Sequence, residues 1–150
     1  MAFLFERKKK KKVLFVAPEA SPFVKAGGLG EVAYALPRAL KELGFDVRVM
    51  LPLYASIDKD KFEMKMEFNA LGVPTCVEKE TESEPSHLIC NVKKYTPKGS
   101  DVHLPLTTYF LENEEYYEKR SNVYGYSDDP IRWNLLCRGV LEFFRLSDDW

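Results

Sequence analysis

The sequence predicts an α/β fold in which helices flank a mostly parallel sheet, and three features near its amino terminus support this. Residues 13–17 form an unbroken apolar run, which is typical of a parallel strand covered on both faces. Residues 46–52 predict a second strand of the same kind. Between them, apolar residues recur at steps of three and four, which predicts a helix whose stripe packs on the sheet. That stripe comprises Leu29, Val32, Ala33, Leu36, Ala39, Leu40 and Leu43.

A glycine-rich turn joins the first strand to this helix and is a candidate anion site. Gly27, Gly28 and Gly30 lie at the helix start, where unpaired N–H groups and the helix dipole favour an anion. Without Cβ atoms there, a phosphate can approach the backbone, and Lys25 adds a cation on a flexible side chain. The competing interpretation is structural, because glycines are common in such turns and most exposed lysines are only solvated.

The order of residues in this turn differs from two well-known phosphate-binding loops. Dinucleotide-binding proteins use G-x-G-x-x-G and triphosphate-binding proteins use G-x-x-x-x-G-K-[ST], whereas here Lys25 precedes the glycines. A nucleotide-dependent oxidoreductase would also need an acidic residue after the second strand. The sequence there is Leu51, Pro52 and Leu53, which disfavours that function.

The carboxyl end of the second strand should share a sheet edge with the glycine turn, and ligands bind at that edge in open α/β sheets. Tyr54 follows this strand. It either lines the same pocket as Lys25 or, in the favoured interpretation, is an exposed loop aromatic.

The rest of the chain predicts antiparallel strands and a second core helix. Residues 62–77 and 88–110 alternate in polarity like strands, and the polar stretch 78–86 between them is typical of a hairpin loop. An aspartate pair followed by Pro130 predicts a helix start. The apolar face of that helix comprises Trp133, Leu136, Cys137, Val140, Leu141, Phe143 and Phe144.

The charge of the chain excludes several classes of partner. The net charge is −1 and 30 % of residues are charged, so there is no electrostatic case for nucleic-acid or membrane binding. No stretch approaches the roughly 20 apolar residues of a membrane-spanning helix, and we expect a cytoplasmic protein. Residues 1–11, which contain a basic run, are expected to be a flexible amino terminus.

Cysteine and histidine spacing predicts neither a disulfide framework nor a metal site. The three cysteines and two histidines are far apart along the chain and lack the close pairs of a zinc site. They are Cys76, Cys90, Cys137, His87 and His103.

Two blocks of this sequence resemble the glycogen and starch synthases of the bacterial and plant type, over most of residues 12–150. The first block comprises 13–17, Glu19, Pro22, 25–31, 35–37, Leu40, Gly44 and 47–52. The second comprises 109–113, 123–129 and Arg132. The plainest departure is Glu31, where the family often has aspartate.

This resemblance implies a GT-B glycosyltransferase fold, in which two Rossmann-like domains face a cleft. Residues 12–150 would form part of the N-terminal domain, with an antiparallel β excursion, and the C-terminal nucleotide-binding domain would be absent from the 150 residues. The implied reaction transfers glucose, with retention, from ADP-glucose or UDP-glucose to the nonreducing end of an α-1,4-glucan. It implies no metal and no cofactor, and we expect the 150 residues alone to be inactive.

The resemblance also implies a substrate-binding set, namely Glu19, Lys25, Gly27, Gly28 and Glu31. Lys25, Gly27 and Gly28 are expected near the diphosphate and the transferred sugar of the donor. Negative charge builds on the leaving phosphate, and cations and preorganised N–H donors stabilise it. No catalytic residue is assigned within the chain. The alternative function is a noncatalytic sugar- or phosphate-binding module that retains the lysine–glycine loop.

Overall fold

A computed structural model describes residues 10–75, 86–99, 105–148 and 150 of the chain. Eight elements follow one another: β1 (Lys12–Val16), α1 (Gly28–Glu42), β2 (Asp46–Pro52), β3 (Lys65–Pro74), β4 (His87–Tyr95), β5 (Thr107–Glu112), a π-helical turn (Glu114–Glu118) and α2 (Asp129–Leu146). Cys76, His103, nearly all of the polar stretch 78–86 and residues 1–9 of the predicted flexible terminus lie outside the described residues.

The strands form one sheet in the order β1-β2-β5-β4-β3. Strand β2 pairs in parallel with β1 and with β5, while β4 is antiparallel to both β5 and β3. Four of the five strands therefore run in the same direction and β4 runs against them. This confirms the predicted mostly parallel sheet with an antiparallel excursion.

Helix α1 covers one face of the sheet, but the predicted buried stripe is only partly right: Ala33 is buried and Leu40 packs against the core, while most of the other members are exposed. Its buried residues are Gly30, Ala33 and Pro37, which are small enough to bring the helix close to β2. Four larger apolar residues of the predicted stripe, hereafter the outer stripe, are 46 %, 54 %, 46 % and 75 % exposed. They are Leu29, Val32, Leu36 and Leu43. Periodicity identified an apolar stripe but not the surface against which it packs.

Strand β1 departs from prediction in a related way. It was expected to be covered on both faces, yet it is an edge strand, and among the described residues it pairs only with β2. Val13, Leu14 and Phe15 are only half-buried, and Val16 is exposed. The apolar run correctly predicted a strand but overestimated its burial.

Helix α2 covers the other face of the sheet. Phe143 is buried against Tyr109 and Phe68, with ring centroids 5.1 and 6.2 Å apart. Gly139 permits this close packing, because a Cβ atom there would lie 2.6 Å from a methyl group of Leu111. The predicted core helix is confirmed, although Leu141 and Cys137 are exposed. Within the described residues, no helix combines the length and the apolar character needed to cross a membrane.

Candidate functional site

The loop between β1 and α1 lies at the carboxyl edge of the parallel strands, where the sequence placed the ligand site. Phe23 anchors this loop to the core. Its ring centroid lies 4.6 Å from that of Phe62, 5.6 Å from that of Tyr95 and 4.9 Å from that of Phe110. The N–H of Ser21 also donates to the carbonyl of Gly30 at 3.0 Å. The loop is therefore fixed both to the sheet and to the first turn of α1.

Glu19 is the buried centre of the loop, with only 1 % of its surface exposed. Its carboxylate accepts hydrogen bonds from the backbone N–H of Ala26, from that of Gly27 at 2.8 Å and from the hydroxyl of Tyr124 at 3.0 Å. Burial alone would raise the pKa of Glu19, but these bonds and one from the Gly30 backbone outweigh it, so the pKa is lowered. An anion of the protein itself thus occupies part of the N–H cluster at the start of α1.

The three glycines of the turn differ in what surrounds them. A Cβ atom on Gly30 would lie 3.0 Å from Oε2 of Glu19 and 3.2 Å from Cγ of Lys25, so internal packing around this position is tight. A Cβ atom on Gly27 would make only an ordinary contact, 3.6 Å from Oε1 of Glu19. Gly28 has nothing within 4 Å of that position. The open space at the helix start therefore lies beside Gly28.

Lys25 and Glu31 form an ion pair at the rim of this opening. The Nζ of Lys25 lies 2.6 Å from Oε1 of Glu31, and both side chains are about half-exposed, at 52 % and 54 %. The hydrogen bond from Lys25 lowers the pKa of Glu31, and its charge adds to the effect. An exposed pair of this kind is weak, so an incoming anion can compete with Glu31 for the ammonium group.

Tyr124 is held against Glu19 by a buried arginine. Arg132 is fully buried; its guanidinium donates to the carbonyls of Tyr116 at 2.8 Å and of Val123 at 2.9 Å, and it pairs with Asp129. It fixes the backbone next to Tyr124. Burial, followed by the hydrogen bond to Glu19, raises the pKa of Tyr124 to about 12. The phenol therefore stays protonated and donates to the carboxylate.

The expectation that Tyr54 is an exposed loop aromatic is wrong. The side chain is buried, and its hydroxyl donates to the carbonyl of Pro18 at 2.9 Å. Its ring meets that of Tyr117 edge-on, with centroids 6.2 Å apart. Burial raises its pKa. The chain after β2 turns into the protein interior rather than into solvent. Tyr54 therefore supports the loop between β1 and α1 from its buried side.

The carboxylate of Glu112, the last residue of β5, is bound in an ion-pair network. Glu112 is paired with Lys59 at 3.1 Å and with Lys93 at 3.0 Å, and it accepts from the Asn91 side chain at 2.9 Å. This network satisfies the carboxylate and ties β5 to β4 and to the turn that precedes β3. In the described part of the chain, no group of three or more histidine, cysteine or acidic residues could hold a metal ion.

The five predicted substrate-binding residues lie in the loop before α1 and in the first turn of that helix, and the structure adds Tyr124 and Arg132 as neighbours. Both additions lie in the second sequence block, for which no role in the loop was foreseen. Tyr124 and Glu19 are 105 residues apart. Sequence periodicity cannot predict a contact between residues so far apart. The only indication of a relation between Glu19 and Tyr124 was that both lie in blocks that resemble the same family.

Comparison with known proteins identifies relatives of this architecture. The family model for the starch synthase catalytic domain matches residues 12–150. The glycogen synthase of Anoxybacillus flavithermus is 39 % identical over 137 residues, which are 91 % of this chain and 25 % of the relative. That of Clostridium beijerinckii is 41 % identical over 141 residues, which are 91 % of this chain and 26 % of the relative.

The fold is also similar to that of a solved structure. This is the catalytic domain of starch synthase IV from Arabidopsis thaliana bound to ADP and acarbose, at 23 % identity and a TM-score of 0.72, covering 91 % of this chain and 26 % of that one. The likeness supports the predicted GT-B-type fold. The chain spans about a quarter of the length of the curated relatives that it matches.

Proposed function

Because the chain belongs to the family of starch synthase catalytic domains, we propose that it supplies the phosphate-facing side of a retaining glucosyltransferase site. The proposed reaction moves glucose from ADP-glucose or UDP-glucose to the nonreducing end of an α-1,4-glucan. In this proposal residues 12–150 form part of the N-terminal domain. A second, nucleotide-binding domain supplies the other wall of the cleft and most contacts to the nucleotide.

The opening beside Gly28 is the observation that carries the proposal. Gly28 lies at the N-terminus of α1, where the helix dipole favours an anion, and the space over its backbone is empty. Packing does not require glycine at this position, and its φ is not in the left-handed region. A glycine that the fold itself does not need is explained by a ligand that must approach the backbone closely.

Lys25 would stabilise the charge of the bound phosphate. It lies at the rim of the opening and is paired only weakly with Glu31. When the bond between sugar and phosphate breaks, negative charge grows on the leaving group, and a cation held nearby lowers the barrier. In this proposal the ammonium group exchanges Glu31 for the phosphate when the donor binds.

Glu19 and Tyr124 are positioning residues in this proposal and do not touch the donor. The Glu19 carboxylate holds the amides of Ala26 and Gly27 inward, which leaves the outward amides of the first helical turn to face a ligand. Gly28 and Leu29 lie in the first turn of α1, where backbone N–H groups have no acceptor within the helix. These two amides would complete the anion site with Lys25.

Amide NMR of the 150-residue chain, titrated with ADP-glucose and with UDP-glucose, tests this proposal. We expect the largest shifts at Gly28 and Leu29 and only millimolar affinity, because most donor contacts lie on the proposed second domain. Lys25→Ala should remove most of the shifts. Lys98→Ala is the matched control, since Lys98 follows β4 and lies at the opposite edge of the sheet.

Two outcomes would overturn parts of the proposal. If both donors at saturating concentration leave Gly28 and Leu29 unshifted, or if Lys25→Ala changes nothing, the anion site is wrong. If the 150 residues alone bind a donor at micromolar concentration, the division between two domains is wrong. The noncatalytic binding module would then be the better description.

A further inference from the structure

The two edges of the sheet differ in charge, and the net charge of −1 conceals this difference. Residues 7–12 are six consecutive basic residues that lead directly into β1. The run holds six of the 22 basic residues, which leaves 16 against 23 acidic residues in the rest of the chain. At the carboxyl edge of the parallel strands, Glu112 ends β5 and residues 114–118 follow with three more glutamates. The basic run enters at the opposite, amino edge.

The described part of this run lies on the surface beside the start of β2. Residues 10–12 are exposed, and the carbonyl of Lys11 accepts from the N–H of Asp46, the first residue of β2, at 2.9 Å. Helix α1 ends at the same edge, because only three residues separate it from β2. Its Lys41 donates to the carbonyl of Pro105, which directly precedes the start of β5. The basic run and the end of α1 thus place their cations at one edge.

Two leucines with exposed side chains lie at this edge as well. Leu43 directly follows α1 and is 75 % exposed, and Leu146 ends α2 and is 47 % exposed. Trp150 shows that α2 ends here, since its indole N–H donates to the carboxylate of Asp46 at 2.7 Å. Arg145, beside Leu146, is also exposed. Exposed apolar side chains among cations are typical of surfaces that bind anionic membranes.

Basic residues outnumber acidic ones around the starts of β1 and β2. Among the described residues, the acidic ones there are Glu42, Asp46, Glu142 and Asp148, and Glu142 is paired with Arg145 at 2.6 Å. The basic ones, hereafter the basic end, are Lys10, Lys11, Lys12, Lys41, Arg48 and Arg145. The adjoining sequence adds Arg7, Lys8 and Lys9 against Glu6 and Asp149. This edge is therefore positive in a chain whose other residues are negative overall.

We propose that the basic end, together with Leu43 and Leu146, is a peripheral docking surface for a membrane rich in anionic lipid. The lysines bind the lipid phosphates, and the leucines enter the interface between headgroups and acyl chains. Phe3, Leu4 and Phe5, which precede the basic run in sequence, add further apolar side chains. These apolar residues favour a membrane over a nucleic acid, whose phosphates would use only the cations.

Docking through this surface leaves the candidate site accessible. The lysine–glycine loop lies at the carboxyl edge of the strands, whereas the basic end lies at their amino edge, so the loop faces away from the lipid. The net charge of the whole chain gave no reason to expect a membrane, because it averages over two edges of opposite charge. The inference does not depend on the proposed transfer of glucose.

Sedimentation of the 150-residue chain with lipid vesicles tests the role of the charges. We expect binding to vesicles of phosphatidylglycerol and phosphatidylcholine in equal parts to be at least about tenfold tighter than to phosphatidylcholine alone, and to weaken at high salt. Lys11→Glu should weaken it at least about fivefold. The matched control is Lys119→Glu, the same charge reversal at an exposed lysine beyond the carboxyl end of β5, which should change it less than about twofold.

A second pair of variants tests the apolar contribution. Leu43→Ser should weaken vesicle binding at least about threefold, whereas Ile131→Ser, at a position 50 % exposed in the first turn of α2, should leave it unchanged. Equal binding to the two kinds of vesicle, or equal binding by Lys11→Glu and the parent, would overturn the proposal. Salt-sensitive binding to random-sequence RNA without vesicle binding would instead assign the basic end to a nucleic acid.

Discussion

Two carboxylates meet the lysine–glycine loop in opposite ways. Glu19 is buried and is bound by backbone N–H groups and the hydroxyl of Tyr124, so its contacts are with fixed parts of the fold. Glu31 is half-exposed and is paired with the flexible side chain of Lys25. The comparison suggests that the inner carboxylate determines the shape of the loop, while the outer one holds a cation that a ligand can take over.

Removal of the inner carboxylate should have the largest effect on stability. Glu19→Ala removes a buried carboxylate and leaves two backbone N–H groups and a phenol without their acceptor, which costs roughly 2–3 kcal/mol of unfolding free energy. Urea denaturation of the 150-residue chain measures this loss. Glu31→Ala is the matched control, and its loss should stay below about 0.5 kcal/mol. Similar losses for the two variants would contradict the comparison.

The stability of the parent chain and that of the uncharged variant Glu19→Gln should depend differently on pH. The folded state lowers the pKa of Glu19 below its ordinary value of 4.5, so its stabilising effect is complete above that pH and is lost as pH falls through the folded-state pKa. The difference in unfolding free energy between the parent and Glu19→Gln should thus shrink below about pH 4.5. Other carboxylates contribute equally to both chains and cancel in this difference. A difference that stays constant down to about pH 3 would show that the charge of Glu19 is unimportant.

Loss of the hydroxyl of Tyr124 should have an intermediate effect. Tyr124→Phe removes one hydrogen bond to a charged group and leaves the other donors to Glu19 in place, which costs about 1 kcal/mol. Tyr126→Phe is a nearby control without a bond to Glu19. In the double variant with Glu19→Gln, the cost of Tyr124→Phe should fall, which a double-mutant cycle in urea measures. Fully additive effects would mean that the two side chains act independently.

The smallest effect concerns the outer carboxylate and appears in binding. Glu31→Gln should raise the affinity of the chain for inorganic pyrophosphate two- to fivefold, because Lys25 no longer has a competing anion, while stability changes by less than about 0.5 kcal/mol. Amide NMR titration measures the affinity. Glu63→Gln, which breaks a similarly exposed pair with Lys98, is the matched control and should leave it unchanged. Weaker binding by Glu31→Gln would show that Glu31 supports the anion site rather than competing for its lysine.

The regular elements could be predicted from local patterns because each pattern has a short-range cause. The apolar runs of β1 and β2, and the proline start of α2, lie where strands and a helix were expected. Burial was less predictable, since it depends on neighbours. The outer stripe of α1 is periodic like a core stripe and yet is exposed. Periodicity reveals which residues share a face but not what covers that face.

The location of the candidate site could be predicted from the sequence, but the contacts that shape it could not. The glycine turn indicated a helix start at the carboxyl edge of the sheet, and its five residues do lie together. That Glu19 would bind the loop amides depends on the path of the chain from Pro18 to Ala26, which no local rule specifies. The contact with Tyr124 and the burial of Tyr54 depend on how distant segments fold against each other.

The close approach of α2 to β5 has a consequence for the loop between β1 and α1. A Cβ atom on Gly139 would lie 2.6 Å from a methyl group of Leu111, so an alanine there requires either the buried Leu111 side chain or the helix to shift. Arg132 lies seven residues earlier on the same rigid helix, about two turns away, and its displacement would be passed on to Tyr124. The geometry of the loop between β1 and α1 is thus sensitive to the helix spacing at Gly139.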